Sequence, residues 1–350
     1  MRLLVFHPGF AFLIFSLPAT LAAQTTSDDF VRRGFARERQ RDYDGAIADF
    51  TKAIELDSRS FDAFTARGAL RRAKGDVAGA TADYDRALAA NPNHILALNN
   101  RGNLRRDRGD LDGAMADLNR AIAIKPDYAN ALANRGVTAA ARGDFKAALA
   151  DYDRAIDANP DHRAAYINRG NTRTALGDFG GAIDDFDHEL QINPTAGPAF
   201  AGRGVARVGL GDYSGAAGDL DRAIDLAKDD AAYLRLLRCV ILRRLHRDDR
   251  QSELILAMTT WPNGWLRSVG RFLTGDLSEP DLLAAVGTTD TRSSRGRRCE
   301  ACYFAGMLRL LRGEPGAARE LFARSVATGE AGFSELALAR AEFARLPASR

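Results

Sequence analysis

Between residues 27 and 230 small and bulky apolar positions return in the same order every 34 residues, with no insertion or deletion. The units are 27–60, 61–94, 95–128, 129–162, 163–196 and 197–230. Each carries Arg-Gly at positions seven and eight (Arg33-Gly34, Arg67-Gly68, Arg101-Gly102, Arg135-Gly136, Arg169-Gly170, Arg203-Gly204). Ala stands at position 20 (Ala46, Ala80, Ala114, Ala148, Ala182, Ala216). Bulky residues fill position 4 (Phe30, Phe64, Leu98, Leu132, Tyr166, Phe200) and position 24 (Phe50, Tyr84, Leu118, Tyr152, Phe186, Leu220). Two small residues at matched places let two helices approach, and the large ones fill the space around them. The pattern predicts a pair of helices per unit.

The punctuation agrees. Gly-Asp recurs between the two runs (Gly75-Asp76, Gly109-Asp110, Gly143-Asp144, Gly177-Asp178, Gly211-Asp212). Glycine suits the left-handed turn that ends one helix, and aspartate caps the next. The first unit has Arg41-Asp42 there, a costlier turn. Pro92, Pro126, Pro160 and Pro194 stop the second helix, whereas Ser58 and Lys228 take that place in outer units. Gly45, Gly79, Gly113, Gly181 and Gly215, each one residue before the small Ala, are expected to serve close helix packing.

Repeat length, both small positions, both bulky positions and the terminal proline resemble the tetratricopeptide repeat (TPR) over residues 27–230. The departure is Arg at position seven, where that family often has Leu. The resemblance implies an all-α helix-turn-helix solenoid, a right-handed superhelix whose first helices line a concave surface. Such a surface holds a partner rather than a reaction centre.

Residues 231–298 are expected to form degenerate helical pairs followed by a polar loop from Thr288 to Arg298. Residues 299–345 return to register, with Gly306, Ala318 and Phe322 at repeat positions and a last amphipathic helix (333–345) placed to cap the stack. Trp261-Pro-Asn-Gly-Trp265, Phe272-Leu273, Leu277-Ser278-Glu279, Cys302-Tyr303-Phe304, Leu321-Phe322 and Phe333 resemble the C-terminal half of the NlpI-type envelope TPR family. That resemblance implies an adaptor for peptidoglycan hydrolases or a periplasmic protease. This chain lacks the lipid-attachment cysteine of that family.

Residues 1–23 read as a signal peptide: Arg2, then the apolar run Phe10–Leu17, then small residues up to Ala23. The expectation is a periplasmic or secreted protein. Net charge is +3, and no Lys/Arg run lies on a stacking aromatic surface, so nucleic acid is not an expected partner.

The candidate binding residues are amides. Positions 5, 6 and 9 of the first helix share a face. There the middle units carry Asn99, Asn100, Asn103, Asn134, Asn168 and Asn171. Side-chain amides both donate and accept, so they can pair with the backbone of a protein or peptide in extended conformation whatever its sequence. The column resembles the asparagine ladder in the TPR superhelix of O-GlcNAc transferase. The alternative is that position-six amides bond the neighbouring repeat and fix its pitch. A chaperone-tail clamp needs cations that Asn99 and Ala164 do not supply. The position-seven arginines, with Asp at position 23 (Asp49, Asp83, Asp117, Asp151, Asp185, Asp219), suggest an internal ion-pair ladder.

Cys299 and Cys302 form a CxxC beside a lone Cys239. The readings are a disulfide, a buried thiol, or a thiol-dependent redox or metal-handling function. The five histidines have no zinc-ligand spacing, and no nucleophile or phosphate-cradling motif appears. The chain is expected to be non-enzymatic, without a cofactor, and able to pair with a second copy through 231–298.

Overall fold

The computed structural model describes residues 26–227, 231–247, 251–262, 264–330 and 334–347. The expected signal peptide, Lys228, Asn263 and Phe333 lie outside them. Among the described residues there are nineteen helices and no strand. The chain divides into two units, Met1–Ala97 and Leu98–Arg350.

In the first unit α1 (Ser27–Arg39) packs on α2 (Tyr43–Leu56), and α3 (Phe61–Ala73) on α4 (Val77–Ala90). Thr26 opens α1 in a capping box with Asp29. Asp42 and Asp76 cap α2 and α4, accepting the N–H of Gly45 at 2.9 Å and of Gly79 at 2.8 Å. The turn residue has positive φ in both pairs, 63° at Arg41 and 83° at Gly75. Arg41 therefore carries the strain that glycine avoids elsewhere. Phe50 and Tyr84 are fully buried over Gly34 and Gly68, where a Cβ would stand 2.6 and 2.8 Å from their rings.

In the second unit, which takes most of α5 (Ile95–Asp107), the same pair recurs. It is built from α6 (Leu111–Ile124), α7 (Ala129–Ala141), α8 (Phe145–Ala158), α9 (Arg163–Leu176), α10 (Phe179–Ile192), α11 (Gly197–Leu210) and α12 (Tyr213–Ala227). The first helices α7, α9 and α11 touch in succession, so they present one continuous face. Then come α13 (Ala232–Arg244), α14 (Gln251–Met258), α15 (Trp265–Thr274), α16 (Glu279–Ala284), α17 (Arg292–Leu311), α18 (Pro315–Ala327) and α19 (Ser334–Arg345). A single apolar core runs from Phe179 and Phe186 through Leu236, Phe272, Tyr303 and Phe304 to Phe322 and Leu338. Phe322 covers Gly306 as the position-24 residues cover their glycines.

Three sequence expectations change. The loop expected to Arg298 ends at Thr291, because Thr291 and Ser294 form a capping box that starts α17 at Arg292. Ser there marks a helix start and Gly a buried helical position, not a loop. The glycines at position 19 do not serve helix packing. A Cβ at Gly45, Gly79 or Gly113 would meet the capping aspartate at 2.1 Å, so it is the cap that presses on them. Finally, α19 does more than cap the stack. It packs on α17 and α18 and also reaches α9 and α11.

Candidate partner-binding face

The arginine column is internal. Arg33, Arg67, Arg101, Arg135, Arg169 and Arg203 each hold the aspartate sixteen residues on. The grip is forked: Arg101 donates Nε and Nη2 to Asp117 at 2.8 and 2.7 Å. Their remaining Nη1 reaches back to the preceding repeat, to Thr51 from Arg67, Asn119 from Arg135, Asp153 from Arg169 and Asp187 from Arg203. Four of these guanidiniums also lie over the aromatic ring at position 4, as Arg67 does on Phe64 and Arg169 on Tyr166. Arg and Asp together therefore close the pair and join it to its neighbour.

A second arginine takes part, at position eleven, and the sequence reading missed it. Arg37, Arg71, Arg105, Arg173 and Arg207 contact the same aspartates at 2.7–3.0 Å. Four of them also donate to the position-19 carbonyl. The signal was a column as regular as the one at position seven, broken only at Ala139. Burial raises Asp185 above the usual carboxylate range against the pull of Arg169 and Arg173, whereas the hydrogen bond from Arg33 holds Asp49 below it.

The amides divide into two sets. Asn99 is buried, and its Oδ1 accepts from Asn134 Nδ2 at 2.8 Å, a bond between the third and fourth repeats. Asn99 Nδ2 in turn donates to Asn100 Oδ1 at 3.2 Å. Part of the column therefore bonds the adjoining repeat, as the alternative reading had it. Asn100, Asn103 and Asn168 are half-buried, and Asn171 is exposed. Asn103 keeps a buried Oδ1 without a hydrogen-bond partner. Asn168 and Asn171 have no side-chain partner among the described residues. Asn171 borders a cavity of about 400 Å³ lined also by Thr174, Gly202, Tyr233 and Ser334.

That cavity ends against α19, which lies on the first helices of the fifth and sixth repeats. Tyr213 donates its hydroxyl to Glu342 at 2.6 Å, and Tyr233 lies 3.2 Å from the Ser334 hydroxyl. Arg345 donates to the Gly209 carbonyl. Nothing in the repeat pattern marks this placement, because the partners are more than one hundred residues apart. A second hollow, about 940 Å³, is lined by Leu256, Ala257, Trp261, Pro262, Trp265 and Arg235 between α13, α14 and α15. Leu256 is 72% exposed beside it.

Cys299 and Cys302 are not bonded to each other. Both are free thiols, buried in the middle of α17. Cys299 Sγ turns to Ser325 Oγ at 3.2 Å, and burial pushes its thiol up to about 11 and raises Cys302 as well. A thiol in that state is a poor nucleophile and a poor metal ligand. Among the described residues no group of three His, Cys, Asp or Glu side chains is placed to hold a metal ion. His162 is structural: its Nδ1 accepts the Ala165 N–H at 3.1 Å and caps α9.

Another cluster lay outside the sequence reading. Trp265 donates its indole N–H to Glu300, and burial together with the charge of Glu335 pushes Glu300 up to about 7. Glu335 is 2% exposed, and its Oε1 has no partner.

The sequence profile described as "Tetratricopeptide repeat" matches residues 32–95 and 133–197, and one described as "TPR repeat" matches residues 102–141. Among solved structures, a tetratricopeptide repeat protein from Parabacteroides merdae superposes with a TM-score of 0.54 at 18% identity, over 71% of this chain and 98% of that one. PilF of Pseudomonas aeruginosa gives 0.52 at 17% identity, over 57% and 91%. PilW, a type IV pilus biogenesis factor described as widely conserved, gives 0.53 at 22%, over 57% and 92%. At these identities the likeness is one of fold. No curated protein matches the sequence.

Proposed function

Since the chain is a tetratricopeptide repeat protein, we propose that it works as an exported scaffold whose first-helix face, across the third to fifth repeats, holds extended segments of other proteins. The observation that carries this is the row of amides that reach solvent on that face. Asn100 and Asn168 are half-buried and Asn171 exposed, set beside a joint that Asn99 and Asn134 keep rigid. A fixed row of groups that both donate and accept can complete the hydrogen bonds of an extended backbone at little ordering cost to the protein. Leader-like residues 1–23 support clients in the cell envelope, and cell-wall hydrolases or a periplasmic protease are the classes that fit. No catalytic constellation is assigned to the scaffold itself.

The test is affinity capture from envelope extract. Wild type is compared with Asn100→Ala/Asn168→Ala/Asn171→Ala and with Asn99→Ala, which loses the joint to Asn134 and the bond to Asn100 but keeps the three amides. The triple variant should lose most clients and the single variant few. An unchanged client set with the triple variant would remove the groove from the account. Self-association through 231–298 is the further partner class, favoured by exposed Leu256 beside the apolar hollow. Light scattering that returns a monomer with wild type and with Leu256→Glu alike would exclude it.

A further inference from the structure

Part of the first-helix face is already filled. α19 packs against α9 and α11, with Leu336, Ala337, Leu338 and Ala339 no more than 2% exposed. It is tied at both ends, by Ser334 to Tyr233 and by Glu342 to Tyr213, with Arg244 3.6 Å from the second Glu342 oxygen. The seated state has a flaw. The Glu335 carboxylate is buried beside Tyr233 of α13 and Tyr303 of α17 with Oε1 unpaired, and the Tyr303 hydroxyl is likewise buried without a partner. A buried polar atom without a hydrogen bond costs stability that a side chain lacking that atom would not. Burial raises Glu335 above the usual carboxylate value, which agrees with a charge that the site does not welcome.

We propose that the first-helix face of the fifth and sixth repeats is a helix-binding site, that α19 is its resident occupant, and that the partner it accepts is an amphipathic helix of the same pattern. That partner carries a stripe of alanine and leucine, and a carboxylate placed as Glu342 is, eight residues after the helix's first residue, that reaches the Tyr213 hydroxyl. The proposal rests on the reading of the first-helix face as the working surface. It adds a second mode, helix in groove, beside the extended segment on the amides. A partner without an acid at the place of Glu335 removes that orphaned oxygen and outcompetes the resident sequence.

The probe is a fluorescein-labelled peptide of residues 334–346 with Glu335→Ala, titrated against the full chain by anisotropy. The full chain with Glu342→Ala/Arg345→Ala loosens the resident helix and leaves the receiving face intact. It should bind the peptide at least tenfold more tightly than wild type does. In wild type, excess peptide should speed amide exchange within 334–345. Should the double variant fail to fold by circular dichroism, Ser334→Ala, which removes one tie, serves in its place. Binding no tighter than that of a scrambled peptide, in a folded variant whose α19 amides exchange faster, would overturn the proposal. Asn100→Ala/Asn134→Ala separates the two modes: it should weaken extended clients and leave the helical peptide unaffected. Equal loss of both would overturn the helix site while sparing the amide groove.

Discussion

Arg67 and Asp83 meet through two parallel hydrogen bonds, Nε to Oδ2 at 3.0 Å and Nη2 to Oδ1 at 2.7 Å, with the side chains only 11% and 3% exposed. Arg71 holds the same carboxylate at 2.9 Å. Breaking such a pair leaves an uncompensated buried charge, which costs about 3–5 kcal/mol. Asp83→Ala should therefore lower the thermal midpoint of the chain sharply. Arg67→Met/Asp83→Leu, which removes both charges and keeps the volume, should recover most of the loss. Calorimetry on the two variants checks this.

The repeat's two classes of glycine should respond in opposite ways. At Gly136 a Cβ would stand 2.6 Å from the Tyr152 ring and 3.1 Å from the Ala148 carbonyl. Overpacking of this kind costs roughly 1–3 kcal/mol. At Gly113 the obstacle is only the Asp110 carboxylate, and Ala147 occupies the equivalent place over Asp144 with its capping bond intact at 3.0 Å. Gly113→Ala should be neutral, or stabilising by up to about 1 kcal/mol through helix propensity. Urea melts of Gly136→Ala and Gly113→Ala compare them.

Features that depend on a 34-residue period were readable in the chain. The small-and-large pairing of Gly34 with Phe50, the Asp42 cap and the Arg67–Asp83 pair all follow from recurrence, because each involves residues within one unit. The bond from Asn134 to Asn99 was readable only as an alternative, since a position-six amide can serve a partner or a neighbour equally well. Contacts beyond the period left no trace. Tyr213 with Glu342, or Trp265 with Glu300, bring together segments whose approach depends on the path of every intervening helix. The start of α17 was misread for a local reason: Thr, Ser, Gly and Arg suit both a loop and a capped helix.

The C-terminal module should weaken as pH rises. Glu300 is pushed up to about 7 by burial and by Glu335, which is raised as well, while Trp265 and Arg297 oppose the shift. A carboxyl whose folded value exceeds its unfolded value contributes stability that is whole below about pH 4.5 and lost as pH climbs through about 7. Between pH 5 and 8 the thermal midpoint of wild type should fall, and Glu300→Gln should flatten the dependence. Tryptophan fluorescence reports it directly, because Trp261 and Trp265 are the two tryptophans of the chain and Trp265 donates to Glu300.

Thiol chemistry gives a further check. With Cys299 and Cys302 buried and both thiols raised, iodoacetamide at pH 8 should label neither in the folded chain and both in urea. Cys299→Ser/Cys302→Ser should capture the same clients as wild type. Rapid labelling without denaturant, read by mass spectrometry, would restore the redox reading.

The backward reach of the position-seven arginines also bears on how such a chain can change in length. Arg135 to Asn119, Arg169 to Asp153 and Arg203 to Asp187 are one joint made three times. A duplicated 34-residue segment spliced ahead of the fifth repeat would arrive with a matching fastener on each side. Tandem duplication could thus lengthen the row of amides one rung at a time, and leave the C-terminal assembly as it is.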